Sequence, residues 1–344
     1  MPEKRFRPLI VPVFIPNMGC PHKCVFCEQE TITSQHRQQV GNAHVEQVLK
    51  KAIASTGFDQ CRKPEIAFYG GTFTGLPFGR MLELLKAVTP FIEKGFFKSI
   101  RVSTRPDALD EKRLRAMKDN CVSTVELGAQ SMDDRVLDLS KRGHSSEDTA
   151  RAVPRLRKYG FKVGIQLMPG LPGDSKDRFS ATITKVISLH PDMVRLYPAV
   201  VIRGTDLAHS YEEGTYQPLG LDDAVEICMD SCIRLEDTGI PVIRIGLMSS
   251  PSLLKKGQII AGPWHPAFGF LVRSGIYHRN IKAGLPGPGK ASHIKILAPK
   301  RDIPLIRGHK NQGLREIEAK TGAEVVRIEL DDSIPHGQVR IEET

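Results

Sequence analysis

The chain has 344 residues, 40% of them hydrophobic and 26% charged, a balance that builds a sizeable packed core and excludes a disordered or fibrous chain. Its formal net charge of +10 either favours polyanionic partners or keeps the surface soluble. No apolar run approaches bilayer-spanning length, and the charged start (Glu3, Lys4, Arg5, Arg7) shows neither an apolar signal region nor a cleavage site, so a cytoplasmic protein with reduced thiols is expected.

Short apolar runs recur along the chain, at Leu9–Phe14, Ile66–Tyr69, Ile100–Ser103, Val122–Leu127, Val163–Leu167 and Val194–Leu196. Helical patterns stand between them at Val45–Ala54, Arg80–Lys94, Asp110–Lys118, Ser145–Tyr159 and Asp177–Leu189. Strands alternating with amphipathic helices predict βαβ units around a parallel sheet, and six units fit a partial (β/α)6 barrel whose chemistry sits on loops at the strands' C-terminal ends. Asp222–Asp237 reads as a further helix and Val242–Ile245 as a further strand. After Ser250 the alternation stops and Gly, Pro and basic residues take over. The expected division is a core at 1–250, a connecting segment at 251–291 and a small α/β appendage at 292–344.

The loop after the first run, Gly19 to Cys27, carries Cys20, Cys24 and Cys27 in C-x3-C-x2-C spacing. Three thiolates on one short loop can hold three irons of a cubane [4Fe–4S] cluster and leave the fourth open. Structural zinc would want a fourth ligand, and none lies nearby in sequence. Three separate buried cysteines are the plain alternative. The total of seven cysteines is odd, which disfavours a disulfide framework. After the second run, Tyr69-Gly70-Gly71-Thr72-Phe73-Thr74-Gly75 is either a tight turn or a place where backbone approaches a ligand closely. Arg105 and Asp107, after the third run, read as a local pair. Glu126–Ser131 follows the fourth run and leads to Arg142-Gly143-His144; Gln166–Gly173 follows the fifth. Amides leaving buried strands need partners, which a ribose or neighbouring backbone supplies.

The cysteine spacing, with the Gly-Gly segment one strand later, resembles the radical S-adenosylmethionine (SAM) enzymes. Gly128–His144 and Gln166–Gly173 are similar to the core shared with oxygen-independent coproporphyrinogen oxidase. Gly70–Phe73, Thr104–Asp107, Leu196–Pro198 with Val201–Thr205, and Glu213–Tyr216 resemble the catalytic subunit of the Elongator tRNA-modifying complex. The likeness runs from about Arg7 to Arg244, with its segments in family order. It implies a radical SAM barrel in which Cys20, Cys24 and Cys27 bind the cluster and its open iron chelates the methionine end of SAM. Reductive cleavage then yields a 5′-deoxyadenosyl radical, with an external one-electron donor such as flavodoxin or ferredoxin. Phe26 would lie near adenine, and Gly70, Gly71 and Thr72 would face the methionine amino group. Gln130, Arg142 and Gln166 would line the ribose and carboxylate side, although Gln166 stands where the porphyrinogen enzymes carry an acid. No catalytic residue is assigned. The Elongator subunit spreads its cysteines over a longer loop and carries an acetyltransferase domain that this sequence does not match, so acetyl transfer is not implied. The N-terminal extension of the porphyrinogen enzymes is missing as well.

Cys228 and Cys232 share a helix face and either join Cys61 or Cys121 in a second metal site or serve as small buried hydrophobes. Ala261–Gly269 contains the only Trp, Trp264, and reads as a loop at the barrel mouth with His265 near substrate, or as a rigid connector. From Arg273 to Lys320, eleven Lys/Arg face three acids, a footprint for RNA or a solvated surface. His293–Leu297, Val325–Leu330 and Gln338–Ile341 read as strands, with a short helix or turn at Asp302–Ile306 and a helix at Gln312–Lys320. The stretch Gly308-His309-Lys310-Asn311 between those helices resembles the G-x-x-G loop of a KH RNA-binding module, with Asn311 at the second Gly. A purely structural tail is the alternative. The expected protein is a radical SAM enzyme of Elongator-subunit type that abstracts hydrogen from RNA, tRNA first of all. The other readings are radical chemistry on a small molecule such as a tetrapyrrole, and a non-catalytic iron–sulfur RNA-binding protein.

Overall fold

The computed structural model describes residues 8–36 and 40–343; the charged start at Glu3–Arg7 lies outside them. Seven parallel strands form one sheet, in the order β1 (Ile10–Phe14), β2 (Glu65–Tyr69), β3 (Ser99–Thr104), β4 (Val122–Gln130), β5 (Lys162–Leu167), β6 (Met193–Leu196) and β8 (Val242–Ile245). Two short strands, β7 (Val201–Ile202) and β9 (Ile259–Ala261), pair with each other antiparallel. Within the seven-stranded sheet each strand pairs with the next of that sheet in chain order, as short βα connections favour, and β1 and β8 do not pair, so the barrel is partial. The strand expected at Val242–Ile245 completes this sheet.

The helices on the connections begin where the side chains can cap them. Asp110, Asp133 and Ser175 each accept from a backbone N–H of the first turn of α4 (Glu111–Asp119), α5 (Asp134–Leu139) and α7 (Lys176–Leu189). Ser145 and Asp148 form a capping box at α6 (Ser146–Lys158). Burial follows the helical period: α3 (Phe78–Glu93) buries Met81, Leu84, Leu85 and Val88, and α7 buries Phe179, Thr182, Ile183 and Val186. Two further helices, α1 (Gln29–Thr33) and α2 (Asn42–Ile53), follow the cysteine loop, and α8 (Asp206–Glu212) follows β7. No described helix is long and apolar enough to cross a membrane.

The chain divides into two compact units, the described parts of Met1–Gly220 with Arg234–Trp264, and of Leu221–Ile233 with His265–Thr344. The second unit takes its first residues from α9 (Leu221–Asp237) and contains α10 (Phe268–Ile281), α11 (Ile303–Arg307) and α12 (Gln312–Thr321). Its sheet has β10 (His293–Ala298) at the centre, parallel to β11 (Glu324–Leu330) and antiparallel to β12 (Arg340–Glu343). Tyr277, Ile281, Ile294, Ile296, Ile306 and Ile317 form its core.

Helix α10 occupies part of the stretch read as a connecting segment. Its sequence hides it, because Gly269 and Gly275 are poor helix formers and two of its buried residues are polar. Ser274 donates to the carbonyl of Leu305 at 2.7 Å, and the His278 ring lies 3.0 Å from that of Ile306. Cys228 and Cys232 are fully buried and Cys61 and Cys121 are exposed, so the buried pair packs as small hydrophobes.

Inside the barrel, charged side chains interrupt the apolar strands. Arg101 on β3 lies 2.7 Å from Glu126 on β4 and 2.7 Å from Glu65 on β2. Arg195 on β6 approaches the other Glu126 oxygen at 2.9 Å, and the Tyr69 hydroxyl donates to Glu126 at 3.0 Å. Removing one member of a buried set like this leaves the others as uncompensated charges. Replacing Glu126 with Gln, which keeps the shape and deletes the charge, is therefore expected to lower the unfolding free energy by about 3–5 kcal/mol in urea titrations. A loss below about 0.5 kcal/mol, the level of an ordinary surface change, would mean the arginines are stabilised by other means.

Candidate active site

The cysteine loop leaves β1 and immediately runs along the end of β2. Ile15 N–H donates to the Tyr69 carbonyl at 2.7 Å and Asn17 N–H to that of Gly70 at 2.8 Å. The loop then meets the Gly70–Gly75 turn backbone to backbone. A Cβ on Gly71 would stand 2.4 Å from the Met18 carbonyl oxygen, and one on Gly75 would stand 2.2 Å from that of Gly19. The glycines are thus required by the protein's own loop, whatever else approaches them. Elsewhere the loop is tied by Val25, whose N–H reaches the Ser140 carbonyl and whose carbonyl accepts from Leu207.

The three cysteines border a cavity of about 660 Å³ that opens inside the barrel. Phe26, Gly70, Gly71, Thr72, Gln130, Arg142 and Gln166 all line it too. Each sulfur has a polar neighbour from a different part of the fold. Thr72 Oγ1 lies 3.3 Å from Cys20 Sγ, Arg142 Nη1 donates to Cys24 Sγ at 3.0 Å, and Asn17 Nδ2 lies 3.5 Å from Cys27 Sγ. Burial pushes the Cys27 thiol up to about 11, with Cys24 adding to the effect and Asn17 opposing it. Crowded thiols like these ionise when a cation joins them. Among the described residues, no three Cys, His, Asp or Glu side chains converge as a site for a single metal ion. A cubane distributes its cysteines over separate irons, so a wider triangle of thiols suits it.

Several residues of this site were not singled out from sequence. Asn17, in left-handed backbone (φ 52°), is one. His22, in the cysteine loop, lies 3.0 Å from the Arg142 carbonyl and 3.0 Å from Arg105 Nη1. Arg105 also binds Asp107 through two hydrogen bonds, at 2.8 and 2.9 Å, the local pair that the residue types suggest. Gln166 Nε2 donates to Gln130 Oε1 at 3.2 Å, so the two amides satisfy each other in part. His144 is buried near Arg142 and Arg105; burial first, then those two cations, hold its imidazole down at about 4. It is neutral at physiological pH. Residues 168–174 after β5 are held by Tyr216, whose hydroxyl donates to the Gly170 carbonyl at 2.6 Å, and by Asp174, which accepts from Gly170 N–H at 2.9 Å. In the second unit, Gly308, Lys310 and Asn311 all have positive φ (67°, 50° and 60°), and His309 packs edge-on against His265 with centroids 4.9 Å apart.

A family model described as the radical SAM superfamily matches residues 14–186, and one described as the radical SAM C-terminal domain matches residues 191–278. The tRNA uridine(34) acetyltransferase of Methanocaldococcus infernus is 39% identical over 129 residues, 37% of this chain and 24% of that protein. This chain thus matches about a quarter of that relative's length. The heme chaperone HemW of Bacillus subtilis is 24% identical over 285 residues, 82% of this chain and 74% of the relative. The solved structure of the archaeal Methanocaldococcus infernus Elp3 with an N-terminal deletion (1–46) superposes with a TM-score of 0.58 at 24% identity, over 79% of this chain and 64% of that one, a likeness of fold.

The interlock at Gly71 has a direct consequence. In Gly71→Val the side chain must displace the backbone at Met18 and Ile15, two to five residues ahead of Cys20. Hydrogen exchange in the protein without added iron is expected to show lost protection across residues 15–20. Parent-like protection there would mean that the loop holds its place without this contact.

Proposed function

This chain belongs to the radical SAM superfamily, and from that premise we propose that Cys20, Cys24 and Cys27 hold a [4Fe–4S] cluster and that the enzyme acts on RNA, with tRNA the substrate class. The observation that carries the cluster is the arrangement of three free thiols on one loop at the cavity, each with a polar neighbour. Bound there, cluster and SAM supply one-electron cleavage of SAM and hydrogen abstraction, with the electron from an external donor such as flavodoxin or ferredoxin. The chain's own residues orient and enclose. Arg142 and Asn17 present N–H groups to the Cys24 and Cys27 sulfurs, and the Thr72 hydroxyl stands beside the Cys20 sulfur. Gly70, Gly71 and Thr72 border the place proposed for the methionine amino group, and Gln130, Arg142 and Gln166 the ribose and carboxylate side. Phe26 packs with Met168, Leu171 and Ala199 and offers an apolar wall to adenine.

The RNA substrate is supported by the similarity to a tRNA uridine(34) acetyltransferase and by the stretch Arg273–Lys320, where eleven Lys/Arg face three acids. In the second unit Gly308, Lys310 and Asn311, in the stretch read as a KH-like backbone clamp, have positive φ, which makes a tight turn between α11 and α12. A tetrapyrrole partner is the second reading, favoured by the extent of the match to a heme chaperone.

Anaerobic reconstitution of the parent is expected to give about four irons per chain, and Cys24→Ala is expected to lose the cluster's absorbance and EPR signal. A full four-iron signal in Cys24→Ala would remove the assignment. Incubation with SAM, dithionite and whole cellular RNA, followed by nucleoside mass spectrometry, tests the substrate; an unchanged nucleoside profile with a new Soret band on heme addition would move the tetrapyrrole reading to first place. For the loop, replacing His309 and Lys310 with Asp should weaken tRNA binding and flatten its salt dependence, because each phosphate contact releases counterions. Equal filter-binding curves for variant and parent would leave the loop a structural turn.

A further inference from the structure

The barrel unit carries a second concentration of cations, at the rim of the cavity beside the cysteine loop. Its framework is a turn at residues 250–258 between β8 and β9. Ser250 Oγ donates to the Thr31 carbonyl at 3.0 Å, and Ser252 N–H donates to Ser34 Oγ at 2.9 Å, which moors the turn to the helix that follows the cysteines. Arg203 Nε donates to the Gly257 carbonyl at 2.7 Å, and Arg203 N–H to that of Gln258 at 2.8 Å. Lys23, inside the cysteine loop, reaches the Gly204 carbonyl at 3.5 Å. Lys23, Arg203, Lys255 and Lys256 therefore stand on three adjoining segments, all exposed.

The acids on these segments do not cancel them. Glu28 lies 2.5 Å from Lys23, and Asp206 lies 2.9 Å from Lys141, a cation outside the set. Among the described residues, Arg203, Lys255 and Lys256 have no carboxylate partner, and three positive charges remain. A face that served solubility alone would also be polar. Here Met248 is 47% exposed and Leu254 is 53% exposed, two of the five large hydrophobics that the described residues leave in solvent, and Leu247 and Met248 continue into the cavity wall.

We propose that this rim, made of Arg203, Lys255 and Lys256 with the exposed Leu254 beside them in sequence and Met248 at the cavity wall, grips the phosphodiester backbone of a single-stranded RNA segment and presents one nucleotide to the cavity. The proposal rests on the RNA substrate read above and locates where the reacting strand lies. Cations take the phosphates, and the apolar side chains cover a base face as the strand turns inward.

The test uses the full chain, a single-stranded oligoribonucleotide and bulk tRNA. Lys255→Gln/Lys256→Gln is compared with Lys51→Gln/Lys86→Gln, which removes the same charge from exposed helix positions. Loss of two phosphate contacts is expected to weaken oligonucleotide binding on the order of 30-fold at 0.1 M salt and to make the slope of log K against log salt shallower by about 1.5. The helix pair should leave both nearly unchanged. Equal losses from both pairs would mean general charge attraction, and parent-like binding by the rim variant would also overturn the rim while leaving an RNA substrate standing. A parent chain that binds neither RNA overturns the rim and the RNA substrate together. Circular dichroism confirms folding, and Lys255→Arg/Lys256→Arg is expected to restore the parent slope.

Discussion

The site depends on one close contact between two stretches of backbone. The loop that carries the cysteines and the turn that follows β2 approach each other more closely than any side chain would allow, with Gly71 facing Met18 and Gly75 facing Gly19. Backbone carbonyls and N–H groups make this contact, so the position of Cys20 relative to Thr72 is set by peptide geometry instead of by rotamers. A loop that brings three thiols to one cavity keeps their spacing through that kind of support. Val25, held between Ser140 and Leu207, fixes the far end of the same loop.

Below the mouth the barrel interior is charged, and its charges are matched. Two arginines, two glutamates and a tyrosine from β2, β3, β4 and β6 close on each other, with Glu126 at the centre. A buried set of this kind is weak evidence for stability in itself, since well-packed apolar residues often do as well. Its physical effect is on geometry. Each charge demands its partner in place, so four strands are held in register from the inside, under a cavity that would otherwise leave them without packing.

Much of this architecture was legible in the sequence, for a reason that also explains the exceptions. Strands covered on both faces read as continuous apolar runs, and helices with one buried face read at the 3.6-residue period, so β1–β3, β5, β6 and α3, α6 and α7 were visible within a residue or two, while β4 runs three residues past its apolar run. The cysteine loop was visible because its spacing is local. What could not be read is what depends on contacts between distant residues. Asn17 beside Cys27, Arg142 beside Cys24 and the Arg101–Glu126–Arg195 set join segments up to 118 residues apart. The signal for the last was present, as charges inside apolar runs, but no rule says which strand answers which. Helix α10 was hidden by its own packing, since Gly275 lies under Met229 and two of its buried positions are polar. The basic rim was missed because it is assembled from residues 23, 203 and 255–256, and no window of sequence shows a cluster.

The charges of the cavity then sort by height. Arg101 and Arg195 are answered by Glu65 and Glu126, and Arg105 by Asp107. Arg142 has no carboxylate partner among the described residues; it donates to the Cys24 sulfur and to the Gly128 carbonyl. An unanswered guanidinium in a buried place makes the surrounding potential positive, and His144 registers that field, since Arg142 and Arg105 join burial in keeping its imidazole neutral. The positive potential therefore lies beside the thiols and not on the floor. A guanidinium without a carboxylate partner favours an anionic neighbour and disfavours a bare cation.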